Sequence, residues 1–281
     1  MHAAQDSGSP YITNRREGWE LRLRDGCMPA EARLALVIPT LREAESLRVM
    51  LPRVRTVLES LGIAFEILVV DDESGDGTER VAGEVAAEDL RVRLLERRGE
   101  RGLAGAILHG WQNSDAPIVG VMDADGQHPP ELLARLIAEI ESGCDVAVAS
   151  RYAGNGRVCG SSMVRKLISS ASIFATRPLL RESMRVADPM SGFFLLRRTC
   201  IENIAFRATG FKLLLEILVR AQIRIVREVP FVFGRRIAGR SKASLMVAWQ
   251  YVLLLGRLYW GEIAQRGRRE DAFTRRGAES G

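Results

Sequence analysis

Asp123, Asp125 and Gln127, in the run VMDADGQHPPE at 121–131, are the side chains of this sequence best suited to chemistry. In extended chain, residues two apart project to one face. At the fraying end of a strand, the three would therefore form a small cradle of oxygens. Hard cations such as Mg2+ or Mn2+ take oxygen ligands and keep positions open for phosphates, so this cradle suits a nucleoside diphosphate–metal complex better than a lone ion. A bare DxD triplet is equally compatible with a solvated acidic loop before a helix, and the surroundings must decide. One feature of the basic residues bears on that choice. The chain has 40 Lys+Arg, yet lysine occurs only at Lys166, Lys212 and Lys242. An ammonium and a planar guanidinium are not interchangeable, which makes these lysines candidates for a chemical role, with chance as the alternative.

The elements that must position the cradle follow from the hydrophobic pattern. LALVIP at 34–39 reads as a buried strand, and the residues after it repeat their leucines and valines at helical spacing. FEILVV at 65–70 is a second strand, ending in DDESGDGT, where Thr78 is expected to cap a helix through 79–88. RVRLL, APIVGVM and DVAVAS read as three more strands. GLAGAILHGWQNS and PPELLARLIAEIESG are the helices between them, the latter started by Pro129 and Pro130. Apolar strands alternating with helices specify an α/β fold: a mostly parallel sheet with helices on both faces and ligands at the carboxyl ends of the strands. Asp71, Asp72, Asp123 and Asp125 all fall at such ends. A dinucleotide-binding reading fails, because the first strand leads into TLREAE and not into a glycine-rich turn. Beyond 150 the rhythm changes to a Gly/Ser segment, a helix from about 163, a strand FFLLRR, a helix in GFKLLLEILVRAQ and an extended IRIVREVPFVF. These read as an elaboration of the same domain, with no repeats.

With 281 residues, 47% hydrophobic and 27% charged, the chain has the composition of a globular protein with a substantial core. The net charge of +5 favours anionic partners without choosing among nucleic acid, phosphorylated substrates and acidic membranes. No nucleic-acid recognition motif is present. Cys27, Cys144, Cys159 and Cys200 form no CxxC pair, and His2, His109 and His128 are scattered, which argues against zinc or a disulfide framework and for a reducing compartment. His109 and His128 read as packing or capping residues, and Trp111 as core. The beginning lacks the apolar stretch of a signal peptide.

VIPTLREAE, VVDDESGDGT, DADGQHPPE, SRY, RK, ADPMSGFF, GFKLLLE and RRIAGRSK, in this order across residues 34–242, resemble the dolichyl-phosphate (polyprenyl-phosphate) mannose synthases of glycosyltransferase family 2. DADGQHPPE together with DPMSGFF is the specific pair. The resemblance implies a GT-A fold, a GDP-mannose donor, a divalent metal (Mg2+ or Mn2+) and a polyprenyl-phosphate lipid acceptor. Residue by residue, it implies that Pro39, Thr40 and Glu43 lie at the nucleoside with Asp71 beside the base or ribose, and that Asp123 closes on that sugar and adjoins the metal. It implies that Asp125 and Gln127 hold the metal. Arg151, Arg165, Ser169, Arg236 and Lys242 are implied to gather around the donor and acceptor phosphates. Two departures stand out. Leu41-Arg42 replaces the common Tyr-Asn, which keeps UDP-glucose or another nucleotide sugar open as donor. Gly126 replaces a bulky apolar residue, which predicts a looser metal loop.

A phosphomonoester with a second pKa of about 6 is already largely an oxyanion, so no strong general base is expected. The sequence offers no His–Asp or Ser–His constellation, and the remaining sources of catalysis are geometry and charge. Glu131, beside a Pro-Pro helix start, reads as a partner of the helix dipole and not as a catalyst. A non-catalytic nucleotide-sugar binding subunit is the alternative from another class. Four regions are expected: a flexible tail (1–30), a GT-A glycosyltransferase domain (31–242), an amphipathic helix suited to the membrane interface (243–265) and a second tail (266–281). The apolar stretch 245–260 is shorter than the roughly 20 residues a spanning helix needs and carries Gln250 and Arg257. The expected location is cytoplasmic and peripheral, at the inner face of the membrane, with or without a separate membrane anchor protein.

Overall fold

The computed structural model of the chain describes residues 32–99, 101–154, 157–158, 174–180, 186–202, 204, 206, 212–234, 236–237, 253, 255–256 and 259. The expected tails, the helix from about 163, and Arg165, Lys166, Ser169 and Lys242 lie outside the described residues. Of the expected interfacial helix, Leu253, Leu255, Gly256 and Tyr259 are described, and all are helical.

The apolar runs become β1 (Leu34–Thr40), β2 (Phe65–Asp71), β3 (Val92–Glu96), β4 (Ile118–Met122) and β5 (Val146–Ser150). β1, β4 and β5 are buried along their whole length, as expected of strands covered on both faces. Between them lie α1 (Ala44–Ser60), α2 (Thr78–Glu88), α3 (Leu103–Gln112) and α4 (Leu132–Glu141). In α1, Leu47, Met50, Leu51, Val54 and Leu58 recur at three- and four-residue spacing and are fully buried. Each such leucine contributes about 1.5–3 kcal/mol relative to exposure. Later in the chain come β6 (Arg157–Val158), β7 (Phe193–Arg197), α5 (Leu213–Arg220), β8 (Val226–Pro230) and β9 (Val232–Phe233). α1, α2 and α4 pack on one face of the main sheet, while α3, carrying the buried Trp111, and α5 pack on the other.

The main sheet has seven strands in the order β3-β2-β1-β4-β7-β5-β8. β7 is antiparallel to both its neighbours, β4 and β5, and the other pairings are parallel. β6 and β9 form a separate parallel pair. The β1–β2 ladder runs from Leu34 to Thr40, whereas the β1–β4 ladder stops at Val37. Pro39, which has no N–H to give, falls in the stretch where β1 has a single partner. Strand order reverses between β1 and β4, and it is outside the carboxyl ends of strands at such a switch point that open α/β sheets hold ligands.

Thr78 does not cap α2. Asp76 does, its Oδ1 accepting from both the backbone N–H and the hydroxyl of Thr78. Its Oδ2 accepts from the N–H of Ala44, so one carboxylate ties together the starts of α1 and α2. An Asp two residues before a helix competes well for orphan N–H groups, and the left-handed Gly77 between them brings it into reach.

Candidate active site

The carboxyl ends of β1 and β2 carry the first group of expected residues. Asp71 is 2% exposed and engaged internally. Its Oδ1 accepts from the hydroxyls of Thr40 and Ser74, and its Oδ2 from the N–H of Ser74 at 2.9 Å. Thr40 and Asp71 are thus one hydrogen-bonded unit that shapes the loop after β2. Glu43 stands at the start of α1, accepting from the Ser46 hydroxyl at 3.4 Å, while its N–H donates to Thr78 Oγ at 3.1 Å. Pro39, Thr40, Glu43 and Asp71 therefore share one corner of the molecule.

The DADGQ segment is a turn, not the extended run its alternation suggested. β4 ends at Met122 and residues 124–126 bend sharply. Asp125 Oδ1 accepts from the N–H of Gln127 at 3.0 Å, the short-range bond that lets an Asp build a turn. This turn is laced to residues 234–237. The N–H of Gly234 donates to the Gln127 carbonyl at 3.0 Å, the N–H of Ile237 to the Asp125 carbonyl at 3.1 Å, and Gln127 Nε2 to the Gly234 carbonyl at 3.1 Å. Arg236 Nη2 lies 3.0 Å from Asp125 Oδ2. Gly126 has φ +76°, and a Cβ there would collide with the Ile237 side chain. The expected looseness is reversed. The glycine admits Ile237 and so tightens the turn against the basic segment.

Asp123 sits just beyond β4, packed so closely on Gly192 that a Cβ at 192 would strike its carboxylate. A third of its side chain remains exposed (33%), with protein on the other sides. Burial, and next the neighbouring Asp125 carboxylate, push its carboxyl up to about 7, against the pull of Lys212, Arg236 and Arg151. His128 Nδ1 lies 3.8 Å from its Oδ2, too far for a hydrogen bond. His128 is buried among the rings of Phe193, Phe231 and Phe233, and its Nδ1 has no hydrogen-bond partner. Burial, then the charges of Arg151 and Arg236, push its pKa down to about 3, so the ring is neutral at physiological pH.

Arg151 follows β5 and is held by Asp188, which is fully buried. Arg151 Nε donates to Oδ2 and Nη2 to Oδ1, both at 2.7 Å, and the backbone N–H of Arg151 also reaches Oδ2, at 3.1 Å. Its guanidinium lies 5.3 Å from the Phe233 ring and 5.4 Å from the Tyr152 ring. Nη1 has no hydrogen bond among the described residues. Lys212, at the start of α5, faces the same region. Its pKa is lowered by burial and then by Arg151, with Asp188 and Asp123 pulling the other way.

The structure thus gathers Asp123, Asp125, Gln127, Arg151 and Arg236 at one end of the sheet. Arg165, Ser169 and Lys242 lie outside the described residues. Sequence reading missed Asp188, Ile237 and Gly192. Asp188 and Gly192 stood inside the ADPMSGFF motif, and Lys212 was signalled by the scarcity of lysine and by its place in GFKLLLE. Glu131 pairs with Arg53 at 2.8 Å, bridging α4 to α1 well away from these groups.

The donor set fits a hard divalent cation. Asp123 presents a carboxylate with no hydrogen-bond donor among the described residues, Asp125 a second carboxylate already engaged by the Gln127 N–H and by Arg236, and Gln127 commits its amide NH2 to Gly234, leaving Oε1 for a ligand. Among the described residues no cluster of three or more His, Cys, Asp or Glu could hold an ion alone. That matches the habit of Mg2+, which takes one or two carboxylates and completes its shell with substrate phosphates and water.

Comparison with known proteins identifies the family and the fold. A dolichol-phosphate mannosyltransferase of Pyrococcus furiosus is 39% identical over 233 residues, spanning 82% of this chain and 65% of that protein. The dolichol-phosphate mannosyltransferase of Saccharomyces cerevisiae is 38% identical over 203 residues, 69% of this chain and 74% of the yeast protein. Mannosyl-3-phosphoglycerate synthase from Rubrobacter xylanophilus shares the fold with a TM-score of 0.60 at 19% identity, over 84% of this chain and 75% of that one. Glucosyl-3-phosphoglycerate synthase from Mycobacterium tuberculosis, in complex with Mn2+, UDP-glucose and phosphoglyceric acid, does so with a TM-score of 0.59 at 19% identity, over 80% of each chain. The fold is GT-A. Residues 35–205 match the model of glycosyl transferase family 2, and the chain belongs to that family.

Proposed function

We propose that this chain is an inverting, metal-dependent glycosyltransferase that moves mannose from GDP-mannose to a polyprenyl phosphate, giving polyprenyl-phosphate β-mannose. The observation that carries this reading is the meeting of an oxygen-donor turn, Asp123, Asp125 and Gln127, with the guanidinium groups of Arg151 and Arg236 at the carboxyl end of the sheet. An acidic site facing a basic one is what a metal-bound diphosphate and a second phosphate require. The similarity to dolichol-phosphate mannosyltransferases supports the acceptor class and mannose as the sugar transferred.

In this reading Asp125 and Gln127, with Asp123 beside them, hold Mg2+ or Mn2+. The bound cation supplies Lewis-acid stabilisation of the departing diphosphate. Thr40, Pro39, Glu43 and the Asp71 unit shape the nucleoside end. Arg236, paired with Asp125, is placed to meet a substrate phosphate. Arg151, its fork fixed by Asp188, offers Nη1 to the same phosphates, with Arg165, Ser169 and Lys242 completing the cluster. The lipid phosphate is its own nucleophile, because its second pKa of about 6 leaves it ionised at neutral pH. Its attack opposite the diphosphate inverts the anomeric carbon. The neutral, aromatic-boxed His128 takes no proton in this scheme.

Leu41-Arg42 favours a second donor reading, UDP-glucose on the same acceptor. Arg42 has φ +57° and is exposed, with its N–H bonded to Ser74 Oγ at 2.7 Å, and Leu41-Arg42 offers no aromatic side chain for contact with a base. The test is a radiolabelled transfer assay comparing GDP-mannose with UDP-glucose on one polyprenyl phosphate in Mn2+. Label from GDP-mannose should enter the lipid, and Asp125→Ala should lower transfer by at least about a hundredfold without loss of fold. Near-normal turnover of Asp125→Ala in saturating Mn2+ would sink the metal assignment. Label from UDP-glucose alone would sink the donor.

The place of action is proposed to be the cytoplasmic face of a membrane, with the 243–265 segment at the interface and with or without a membrane anchor protein. No helix among the described residues is long and apolar enough to cross a bilayer.

A further inference from the structure

Arg151 is aimed by Asp188, and Asp188 is itself aimed by a side chain from the edge of the sheet. Glu228, in β8, sets its two carboxylate oxygens against two successive backbone N–H groups: Oε2 accepts from Ala187 at 2.9 Å and Oε1 from Asp188 at 3.1 Å. Consecutive N–H groups directed at one carboxylate make an anion-binding nest, and such charge-assisted bonds are among the stronger ones a backbone can make. The strand supplies the reach. β8 pairs in register with β5, Glu228 opposite Val148 and Pro230 opposite Ser150, so Glu228 lies level with the last turns of chain before Arg151.

Apart from Glu228 and the bonds between Asp188 and Arg151, the 186–191 turn is fixed among the described residues chiefly by Ser191. Within it the N–H of Ser191 donates to the Asp188 carbonyl at a long 3.3 Å, while the Ser191 hydroxyl ties the far end of the turn to Ala149 at 2.7 Å. Glu228 therefore anchors the near end and Ser191 the far end. Between them the buried Asp188 carboxylate is presented to Arg151 with both oxygens engaged. A bidentate fork tolerates little rotation, so where Asp188 stands decides where Nη1 of Arg151 points.

We propose that Glu228 is a positioning residue for substrate phosphate recognition: through the Ala187 and Asp188 backbone it fixes Asp188, and through Asp188 the guanidinium of Arg151. This rests on the proposed role of Arg151 at the substrate phosphates. Glu228 touches no substrate and moves no proton.

The test is a double-mutant cycle on the full chain with Glu228→Gln and Arg151→Ala, using GDP-mannose and polyprenyl phosphate, together with the 1H–15N signal of Arg151 Nε. Glu228→Gln keeps the shape of the side chain but turns an NH2 group onto one of the two N–H donors. It should lower kcat/KM by about tenfold to a hundredfold in the otherwise unaltered chain, and by less than about twofold when Arg151→Ala is already present. The Arg151 Nε–H signal, shielded from exchange by Asp188, should broaden or vanish in Glu228→Gln. Glu228→Asp, which keeps the charge at shorter reach, should fall between the two. It also preserves the comparison if Glu228→Gln does not fold. Unaltered kcat/KM with an unaltered Arg151 signal would overturn the proposal, as would an equal loss in both backgrounds. Absence of transfer by the unsubstituted chain would overturn the proposed function instead, and the Arg151 signal would then decide the role of Glu228.

Discussion

Two carboxylates, Asp123 and Asp125, stand two residues apart at a short turn, and among the described residues only Asp125 has a cationic partner in contact. Asp125 has Arg236, while Asp123 has a pKa pushed up to about 7 from 3.8, by burial and then by Asp125. Below the unfolded value both folded and unfolded chains hold the proton, so nothing is gained or lost there. As pH rises from 3.8 toward about 7 the unfolded chain releases its proton while the folded chain keeps it, so stability falls across that window and levels off above it. With solvent screening at a side chain still one-third open, the cost is on the order of 1 kcal/mol, or about 2–4 °C in Tm. Asp123→Asn should therefore raise the Tm of the metal-free chain by that amount at pH 8 and leave it unchanged near pH 4, even as it disables transfer. Thermal melts at the two pH values would check it, and a lower Tm at pH 8 would contradict the assignment. Residue type and spacing singled out Asp123, Asp125 and Gln127, while their proposed roles came from the surroundings and the family resemblance. The partners of Asp188 and Glu228 were not readable, because Arg151 and the Ala187–Asp188 backbone lie about 40 residues away in sequence.

At the scale of elements, the DADGQ turn and the 234–237 segment behave as one unit, joined by three hydrogen bonds, an ion pair and the seating of Ile237 on Gly126. A side chain at Gly126 is penalised twice. The left-handed backbone costs about 1–2 kcal/mol, and the collision with Ile237 adds a further steric cost. Gly126→Ala should destabilise the chain, and Ile237→Ala should restore the steric share while leaving the backbone share of about 1 kcal/mol. Denaturant titrations of the two single variants and the double variant measure this, and strictly additive losses would show that the two residues do not meet. The strands and α1 to α4 were readable because apolar runs and helical spacing are local signals. The turn was misread as extended because alternation cannot reveal an Asp125 carboxylate bonded to the N–H of Gln127. Gly126 was misread because its partner, Ile237, is remote in sequence.

Over the whole molecule, the apolar side chains left exposed include Tyr152, Val232 and Ile237, which belong to the segments carrying Arg151 and Arg236. Phe174 and Leu253 are exposed as well, and Tyr259 ties the C-terminal helical residues to the Ala175 carbonyl at 2.9 Å. With a net charge of +5, such surfaces suit an acidic bilayer. Truncation after residue 243 should reduce sedimentation with anionic liposomes by several-fold while leaving soluble nucleotide binding within about twofold. Unchanged sedimentation would remove the C-terminal segment from membrane contact.

β7 lies between β4 and β5, yet it is made after both. A chain emerging from the ribosome therefore carries two finished strands with open edges until residue 197 has been added. At 5–20 residues per second, the wait after Met122 is roughly 4–15 s. An unpaired edge is a template for pairing with other chains. The same insertion that seats Gly192 against Asp123 thus delays completion of the sheet in time, and leaves those two edges open for that interval of synthesis.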